Sequence, residues 1–514
     1  MPGKVYLVGA GPGDPGLLTL KGKNILERAD CIVYDFLANP ELLRFARPDS
    51  ERILVGKHGG EAPISQEAVN QLLVSKAQEG KTVCRLKGGD PFLFGRGGEE
   101  AQELARAGIP FEVIPGVSAA YAVPAYAGIP VTHRDFASAF TCVTAHEDPS
   151  KDESGVDWSD IAASRGTLVF FMGVRKLPQI TGRLIAYGRD PQTPVAVVRW
   201  GSWPKQQVFT GTLSDITAKT TGIMPPAIIV VGEVVQLREQ LNWFERLPLF
   251  GKRIAITRAS EQAGVLREQL TALGAEVIEV ATIEIRDPAS WEPLDSAIQR
   301  LEEFDYLLVT SANGVRSFLR RLEAAGRDVR DLKSLTIGAI GPTTAVEFKK
   351  SGVKVDIVPR EYAAEGLLEA LRDRDLAGKA FLIPRAKVAR DIVPRVLTER
   401  GARVEVVEAY ETVVPQFSPG ELQRLLSPPP DVITFTSSST AGNFAKLVGE
   451  DSVSNLIRGV AIASIGPITS ETIRKLGLTV SIEAKESTIT GLVRGIEDHF
   501  RGQGERPMTA KRET

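Results

Sequence analysis

Short apolar runs bounded by glycine, proline or a polar residue recur along the chain, and between them apolar residues return every three or four positions. The first run, Lys4 to Val8, reads as a strand, "LLTLKGKNILERA" from Leu17 to Ala29 has helical spacing, and "CIVYD" is a second strand ending on Asp35. "KTVCRL" reads as a further strand. In the second half, runs such as "YLLVTS" and "VITFTS" alternate with amphipathic helices, the pattern of parallel sheets covered on both faces. At "LNWFERLPLFGKR" a helical ending meets Pro248, and "RIAITR" then opens a fresh strand, which sets a domain boundary at about residue 248. The pattern predicts an α/β protein on both sides of it.

The second half repeats itself. "GKRIAITRASEQAGVLREQLTALGAEVIEV" from Gly251 answers to "GKAFLIPRAKVARDIVPRVLTERGARVEVV" from Gly378, and "IGAIGPTTAVEFKKSGVKV" from Ile337 answers to "IASIGPITSETIRKLGLTV" from Ile462, at offsets of 127 and 125 residues. Between them "FDYLLVTSANGVRSFL" answers to "PDVITFTSSSTAGNFA". Two copies are too few for a solenoid, so two similar lobes facing a cleft are expected. Hydroxyls stand where helices should begin: Thr310 and Ser311, Thr436 to Ser438, and Thr343 and Thr469 after each "IGP". Helix capping explains them by itself; presenting N–H groups and hydroxyls to an anionic ligand is compatible with capping. Arg258, Arg385 and Lys387, also at strand ends, would supply positive charge.

The turn after the first strand, "VGAGPGDPG", contains G-x-G-x-x-G as Gly11, Gly13 and Gly16, which raises a dinucleotide site. Pro12 and Pro15 have no N–H to offer a pyrophosphate and Asp14 would repel one. A plain tight turn and a nucleoside-type site remain, and a ligand without phosphates, carrying a positive centre, suits the loop better than NAD. Composition narrows the field further. A net charge of −2 over 514 residues selects neither nucleic acid nor an acidic membrane, so a polyanionic ligand must be met by local basic residues. No apolar run approaches the ~18 residues of a membrane span, and "MPGKVYLVG" lacks the regions of a signal peptide, which gives a cytoplasmic expectation. Cys31, Cys84 and Cys142 are far apart among apolar neighbours and read as core cysteines. His58 and His133 lack partners at ligand spacing, so no metal is expected.

"LKGGDPFLFGRGGEEA" from Leu86, "IPGVSAAYAVPAYAGIPVTHR" from Ile114, "FFMGV" from Phe170 and "MPPAIIVVGEVV" from Met224, together with the opening turn and "VYD", resemble the tetrapyrrole methylases, within them the uroporphyrinogen-III C-methyltransferases. The resemblance covers about Lys4 to Glu245. It implies two α/β lobes, about 1–115 and 116–247, a homodimer, and S-adenosylmethionine folded between the lobes, contacted by Pro12, the backbone of Gly88, Gly89 and Asp90, Leu93, Ser118, Ala119, Met172 and Gly201. A cationic sulfonium without phosphates accords with the proline-broken loop. The resemblance also implies proton chemistry for Asp35, chemically able to act as a base, and for Lys57 in "VGKHGG". Arg96, Glu99 and Arg134 are candidates for the substrate's acetate and propionate carboxylates, which suit bidentate arginines. One departure is "TAH" at Thr144 to His146, where the family reads Thr-Gly-His, so the role of His146 is open.

"TR" at the first strand, "TSANGV", the paired "IGP" and "VEAYET" at Val407 to Thr412 make the second half, 248–500, resemble the uroporphyrinogen-III synthases. That implies one lobe from about 251–283 plus 413–500 and another from about 284–412, closure of a linear bilane with inversion of its last ring, and Tyr410 as hydrogen-bond donor to the departing hydroxide. Ser311, Ser437, Ser438, Thr343 and Thr469 would then hold carboxylates, helped by Arg258 and Arg385. The product of this half is the substrate of the other. The alternatives are a methylase acting on a later corrinoid precursor and a non-catalytic second half. Residues 501–514, polar and turn-rich, read as a disordered tail.

Overall fold

The computed structural model describes residues 2–56, 64–145, 155–257, 260–359, 364–415, 417, 420–449 and 458–504. Lys57, His58, His146 and Arg258 fall outside them. Packing divides the chain into two units: one holds the chain up to Ile254, Leu266–Val277 and the segment from Ile496, the other Ala255–Val265 and Ile278–Gly495. The division at Ile254 lies past Pro248 because the main chain before it is tied to the first of those later segments: Leu249 N–H donates to Leu273 O at 2.8 Å, and a Cβ on Gly274 would stand 3.0 Å from Leu247.

The first unit opens with β1 (Val5–Gly9), β2 (Cys31–Tyr34), β3 (Glu51–Leu54), β4 (Val83–Lys87) and β5 (Phe111–Ile114), which form one parallel sheet in the order β3-β2-β4-β1-β5. Both faces are covered. Val5, Leu7, Cys31 and Val33 enter one core, while Val8, Ile32, Cys84 and Leu86 enter another, each large side chain contributing about 1.5–3 kcal/mol. The helix expected from Leu17 starts later, as α1 (Leu20–Leu26), because the Thr19 hydroxyl caps it by accepting from Gly22 N–H at 3.0 Å. The helices that matter for the site are α2 (Gln66–Gln78), α3 (Gly97–Arg106) and α4 (Ala119–Tyr126).

A second sheet takes β6 (Phe140–Thr144), β7 (Thr167–Phe171), β8 (Pro194–Arg199), β9 (Gln207–Thr212) and β10 (Ala227–Val231) in the order β6-β7-β10-β8-β9. It is mixed. β6 runs parallel to β7, but β10 is antiparallel to both its neighbours and β9 to β8.

In the C-terminal half, β11 (Arg253–Ile256) and β12 (Glu276–Glu279) are followed by β13 (Glu284–Arg286), β14 (Tyr306–Val309), β15 (Thr336–Ala339), β16 (Ala380–Ala386) and β17 (Arg403–Val413), and then by β18 (Val432–Phe435), β19 (Ala461–Ser464) and β20 (Ile482–Glu483). Early and late strands share the sheet β12-β11-β18-β19-β20; the middle strands form β13-β17-β16-β14-β15. The pairs β14–β15, β14–β16, β16–β17, β18–β19 and β19–β20 are parallel, and β13 is antiparallel to the end of β17. The last helix runs Ile489–Gly504, so Arg501 to Gly504 are helical rather than part of an irregular tail. An Arg501–Glu497 pair one turn apart at 2.5 Å favours that extension. Residues 505–514 lie outside the description. Among the described residues no helix is long and apolar enough to cross a membrane.

The C-terminal ends of β1, β4 and β5 come together main chain to main chain. A Cβ on Gly116 would stand 2.3 Å from Gly89 O, and one on Gly9 would stand 2.4 Å from Gly116 Cα. Gly116→Ala is therefore expected to cost about 1–3 kcal/mol. Gly98→Ala, at a helical position with nothing within 4 Å, is expected to be neutral or slightly stabilising. Denaturant titration followed by tryptophan fluorescence checks this, since Trp158, Trp200, Trp203 and Trp243 all belong to the first unit.

Candidate active sites

The opening turn is held from three sides. Gly11, at φ +76°, pairs with Gly89 across two loops, its N–H donating to Gly89 O at 3.2 Å and its O accepting from Gly89 N–H at 2.8 Å. Asn39 Nδ2 donates to Gly13 O at 2.7 Å. From the second lobe, Trp203 Nε1–H donates to Pro12 O at 3.2 Å, and the Ser202 hydroxyl accepts from Asp14 N–H at 3.3 Å. Both oxygens of the Asp14 carboxylate are bonded: Oδ1 accepts from Gly16 N–H at 2.7 Å and Oδ2 from the Tyr126 hydroxyl at 2.6 Å. Burial, reinforced by that carboxylate, pushes the Tyr126 phenol well above its ordinary value. Asp14 thus fastens the opening turn to α4 and to the loop after β8.

The residues expected around a cofactor cluster at the C-terminal edges of both sheets. Pro12 follows β1, and Gly88, Gly89, Asp90 and Leu93 follow β4. Asp90 stitches its loop to the next, accepting from Phe92 N–H at 2.8 Å and from Gly116 N–H at 2.9 Å. Ser118 caps α4 through Ala120 N–H at 3.1 Å, and Ala119 begins that helix. Met172 follows β7, and Gly201 follows β8, packed so closely on Val123 that a Cβ would stand 2.3 Å from it. Among the described residues, the non-glycine residues with positive φ are Phe94, Arg96, Met172, Trp200 and Ser202, all in these same loops. Strain gathered in one place marks a site whose geometry the rest of the fold enforces. Lys205 lies over the Trp200 and Trp203 rings at 3.9 and 4.8 Å, and burial lowers its ammonium below the ordinary value.

Asp35 stands just beyond β2, its side chain 30% exposed, and accepts from Arg85 Nη2 at 2.6 Å. The sequence reading missed Arg85 and its company: Arg85 and Lys87, both inside the protein, meet the fully buried Glu100 of α3 at 3.1 and 2.8 Å. Two charges inside an apolar strand, "VCRLK", were the available signal. Arg96 and Glu99 are brought together, but as an exposed bidentate pair at 2.9 and 2.6 Å rather than as two open contacts. Arg134 is exposed, with no ion pair among the described residues. Phe36, Leu37, Phe92 and Met172 present large apolar surface beside these loops, which suits a macrocycle face.

In the synthase-like half, Tyr410 is buried, and its hydroxyl lies 3.0 Å from Ser311 Oγ. A bulge puts it there. Between the pairs Arg385↔Glu408 and Ala386↔Tyr410 the register slips by one residue on β17, which turns Tyr410 onto the face already occupied by Val407 and Ala409. Ser311 also caps the helix Ala312–Ala324 by accepting from Gly314 N–H at 3.0 Å. If Ser311 donates to the phenolic oxygen, the Tyr410 proton is free to point at a ligand.

Ser437 caps the helix Ser438–Val448 in a reciprocal box with Thr440. Three expectations change here. Ser438 is a staple between helices, donating to Ile468 O at 3.3 Å and accepting from Thr472 Oγ1 at 2.8 Å. Thr469 is buried, 5% exposed, and its counterpart in the repeat is the equally buried Thr344; Thr343 answers to the exposed Ile468, so the two threonines first paired are one residue out of register. Arg385 is tied to Asp391 at 2.5 Å and to Arg390 O at 2.9 Å, and Lys387 to Glu411 at 2.6 Å, so neither cation is uncommitted.

Family models match on both sides of the boundary: tetrapyrrole (corrin/porphyrin) methylases over residues 4–217 and uroporphyrinogen-III synthase HemD over residues 264–494. A porphyrin biosynthesis protein HemD from Ruminiclostridium josui is 36% identical over 494 residues, covering 96% of this chain and 97% of that one. The chain belongs to the fused methylase–synthase family. The uroporphyrinogen-III C-methyltransferase of Bacillus subtilis (strain 168) is 43% identical over 358 residues, 69% of this chain and 73% of its own. A solved uroporphyrin-III C-methyltransferase from Thermus thermophilus, complexed with S-adenyl homocysteine, is 40% identical and covers 46% of this chain and 100% of that one, with a TM-score of 0.40.

The Trp203 contact with Pro12 gives a test of the lobe fastening. Trp203→Phe keeps a ring against Gly13 and removes one N–H donor, worth about 0.5–1.5 kcal/mol, so the Kd for S-adenosylhomocysteine should rise about 2- to 10-fold. Calorimetric titration measures it, and an unchanged Kd would show that the hydrogen bond does not shape the cofactor cleft.

Proposed function

We propose that the chain is a bifunctional enzyme of tetrapyrrole biosynthesis: its C-terminal half cyclises hydroxymethylbilane to uroporphyrinogen III, and its N-terminal half moves two methyl groups from S-adenosylmethionine to C-2 and C-7 of that product, giving precorrin-2. The likeness to the Ruminiclostridium josui protein along 96% of the chain carries the reading. The reading extends to a homodimer formed through the methylase half and to work in the cytoplasm.

The loops fit the cofactor. Gly89 holds φ +68°, and among the described residues its Cβ position is open, with Ala119 N the nearest atom at 3.9 Å, so both main chains are accessible there. Pro12 and Pro15 withhold the N–H donors a pyrophosphate would need. Pro12, Gly88, Gly89, Asp90, Leu93, Ser118, Ala119, Met172 and Gly201 would hold it. Bound there, S-adenosylmethionine supplies an electrophilic methyl group on a sulfonium. The loops aim the pyrrole carbon at that methyl, and positioning of this kind supplies much of the acceleration. A proton must leave the macrocycle as the carbon is methylated, and Asp35, partly exposed at the edge of the sheet, accepts it. Lys57 is proposed as a proton donor. Arg134 and Arg96, the latter oriented by Glu99, are proposed contacts for the carboxylate rim.

In the other half Tyr410 donates to the departing hydroxide of the bilane, and the positive charge left behind is delocalised over the pyrrole, so little further acid is needed. Ser311, Ser437 and Thr343, together with Arg258, are proposed to meet the carboxylates.

Full-length protein given hydroxymethylbilane and S-adenosylmethionine should yield the dimethylated product, read by mass. No methylation of supplied uroporphyrinogen III would overturn the methylase assignment. Asp35→Asn should lower methylation at least 100-fold, the lower range for general base catalysis, while S-adenosylhomocysteine affinity stays within a few-fold. Tyr410→Phe should slow isomer-III formation and leave methylation of supplied uroporphyrinogen III unchanged; loss of both activities in a folded variant would show that the two sites are coupled.

A further inference from the structure

The charges at the C-terminal end of β4 form a chain that the function above does not use. Glu100 is wholly buried, and its Oε1 takes three donors: Lys87 Nζ at 2.8 Å, Arg85 Nε at 3.1 Å and Gln66 Nε2 of α2 at 3.3 Å. Its Oε2 has no partner among the described residues. Arg85 reaches the other way with Nη2 to Asp35 at 2.6 Å and with Nη1 to Val33 O at 3.4 Å. The guanidinium is therefore a bridge between a carboxylate sealed inside and a carboxylate at the surface of the cleft. Burying such a set is a poor way to gain stability, because desolvation offsets most of the attraction and apolar residues would pack as well. What it supplies is direction: a planar fork fixed at two ends holds Asp35 in one orientation.

We propose that Arg85 is the positioning residue for Asp35 in methyl transfer, with Glu100 as the buried anchor that fixes Arg85. The proposal rests on the reading of Asp35 as proton acceptor. Two cations and two carboxylates face one another here. Lys87 belongs to the anchor, where burial and the neighbouring guanidinium lower its ammonium below the ordinary value. Asp90, on the loop after β4, is committed to Phe92 and Gly116 N–H. The described residues at the adjacent end of β3, Leu54 to Gly56, carry no charge. Among the described residues the Asp35 carboxylate is thus balanced by Arg85, with the Glu100 charge behind it acting in the opposite sense.

The two partners then predict opposite shifts. In Arg85→Gln the cation facing the Asp35 carboxylate is gone, so the acid limb of kcat for methylation moves to higher pH. In Glu100→Gln the like charge behind Arg85 is gone, so the limb moves to lower pH. Both variants should lose at least ten-fold in kcat, Arg85→Lys should recover part of it, and S-adenosylhomocysteine affinity should stay within about three-fold of the parent. The measurement is the pH profile of kcat for uroporphyrinogen III with the full-length protein. If a folded Arg85→Gln loses rate without moving the limb, Arg85 is structural and the proposal is wrong. Should Arg85→Gln not fold, Glu100→Gln decides alone: a limb moved down supports the proposal and an unmoved limb overturns it. Asp35→Asn separates the levels. Near-parental turnover in that variant removes the Asp35 reading and this inference together, whereas an inactive Asp35→Asn beside unmoved limbs removes only the inference.

Discussion

Three main chains meet without a side chain between them where β1, β4 and β5 end. Gly9, Gly89 and Gly116 leave no room for a Cβ between the first and third and the carbonyl of the second, and everything that concerns the methylase site is built on that contact. It brings three loops to one edge, so a ligand there sees backbone groups rather than long flexible side chains. Such groups are already ordered before binding, which lowers the entropic cost of gripping a ligand. The second lobe adds to this floor through Trp203, Ser202 and Tyr126, each bonded to the opening turn. Positive φ at Met172, Trp200 and Ser202 shows that these loops are held in shape by their surroundings.

The C-terminal half solves the same problem with different parts. Its two sheets also end in helix N-termini, but there hydroxyls replace glycines. Ser311 and Ser437 cap equivalent helices of the repeat. The copies differ in what surrounds the cap. In one copy, the bulge at Ala409 brings a buried phenol to Ser311; in the other, Ser437 is closed into a box with Thr440, and Ser438 is spent on joining two helices. A chemistry-bearing group has been placed on one side of an internally repeated scaffold, while the other side keeps the local bonding of an ordinary cap. That asymmetry accords with the proposed reactive role on the Tyr410 side.

How much of this could be read from the residues depended on how local the cause was. The two α/β halves, the repeat and the glycine-proline loop are local patterns, and the α/β class followed from them. The "IGP" motif does not tell which following residue the helix turns inward, and Thr344 and Thr469 are the matching buried positions. The Asp14–Tyr126 bond leaves no local signal, because the two residues lie 112 positions apart. Arg85 and Glu100 escaped because charged residues in a pattern are read as solvent-facing, and only the fold shows that β4 is buried along its whole length. A bulge such as the one that turns Tyr410 inward leaves no mark in apolar periodicity except a broken alternation at Ala409 and Tyr410.

Three aspartates stand in the loops at this edge of the first sheet, and their bonding separates them. Asp14 has both oxygens filled by neutral donors, and so has Asp90. Those bonds hold the loops, so protonating either carboxylate would loosen them. Asp35 differs in kind: among the described residues its side chain bonds to a single cation, Arg85, and remains partly exposed. One oxygen is thus oriented from behind while the carboxylate keeps capacity to accept from outside. A general base needs that combination of fixed direction and open lone pair, so the assignment of Asp35 rests on its bonding state as well as on its place at the end of β2.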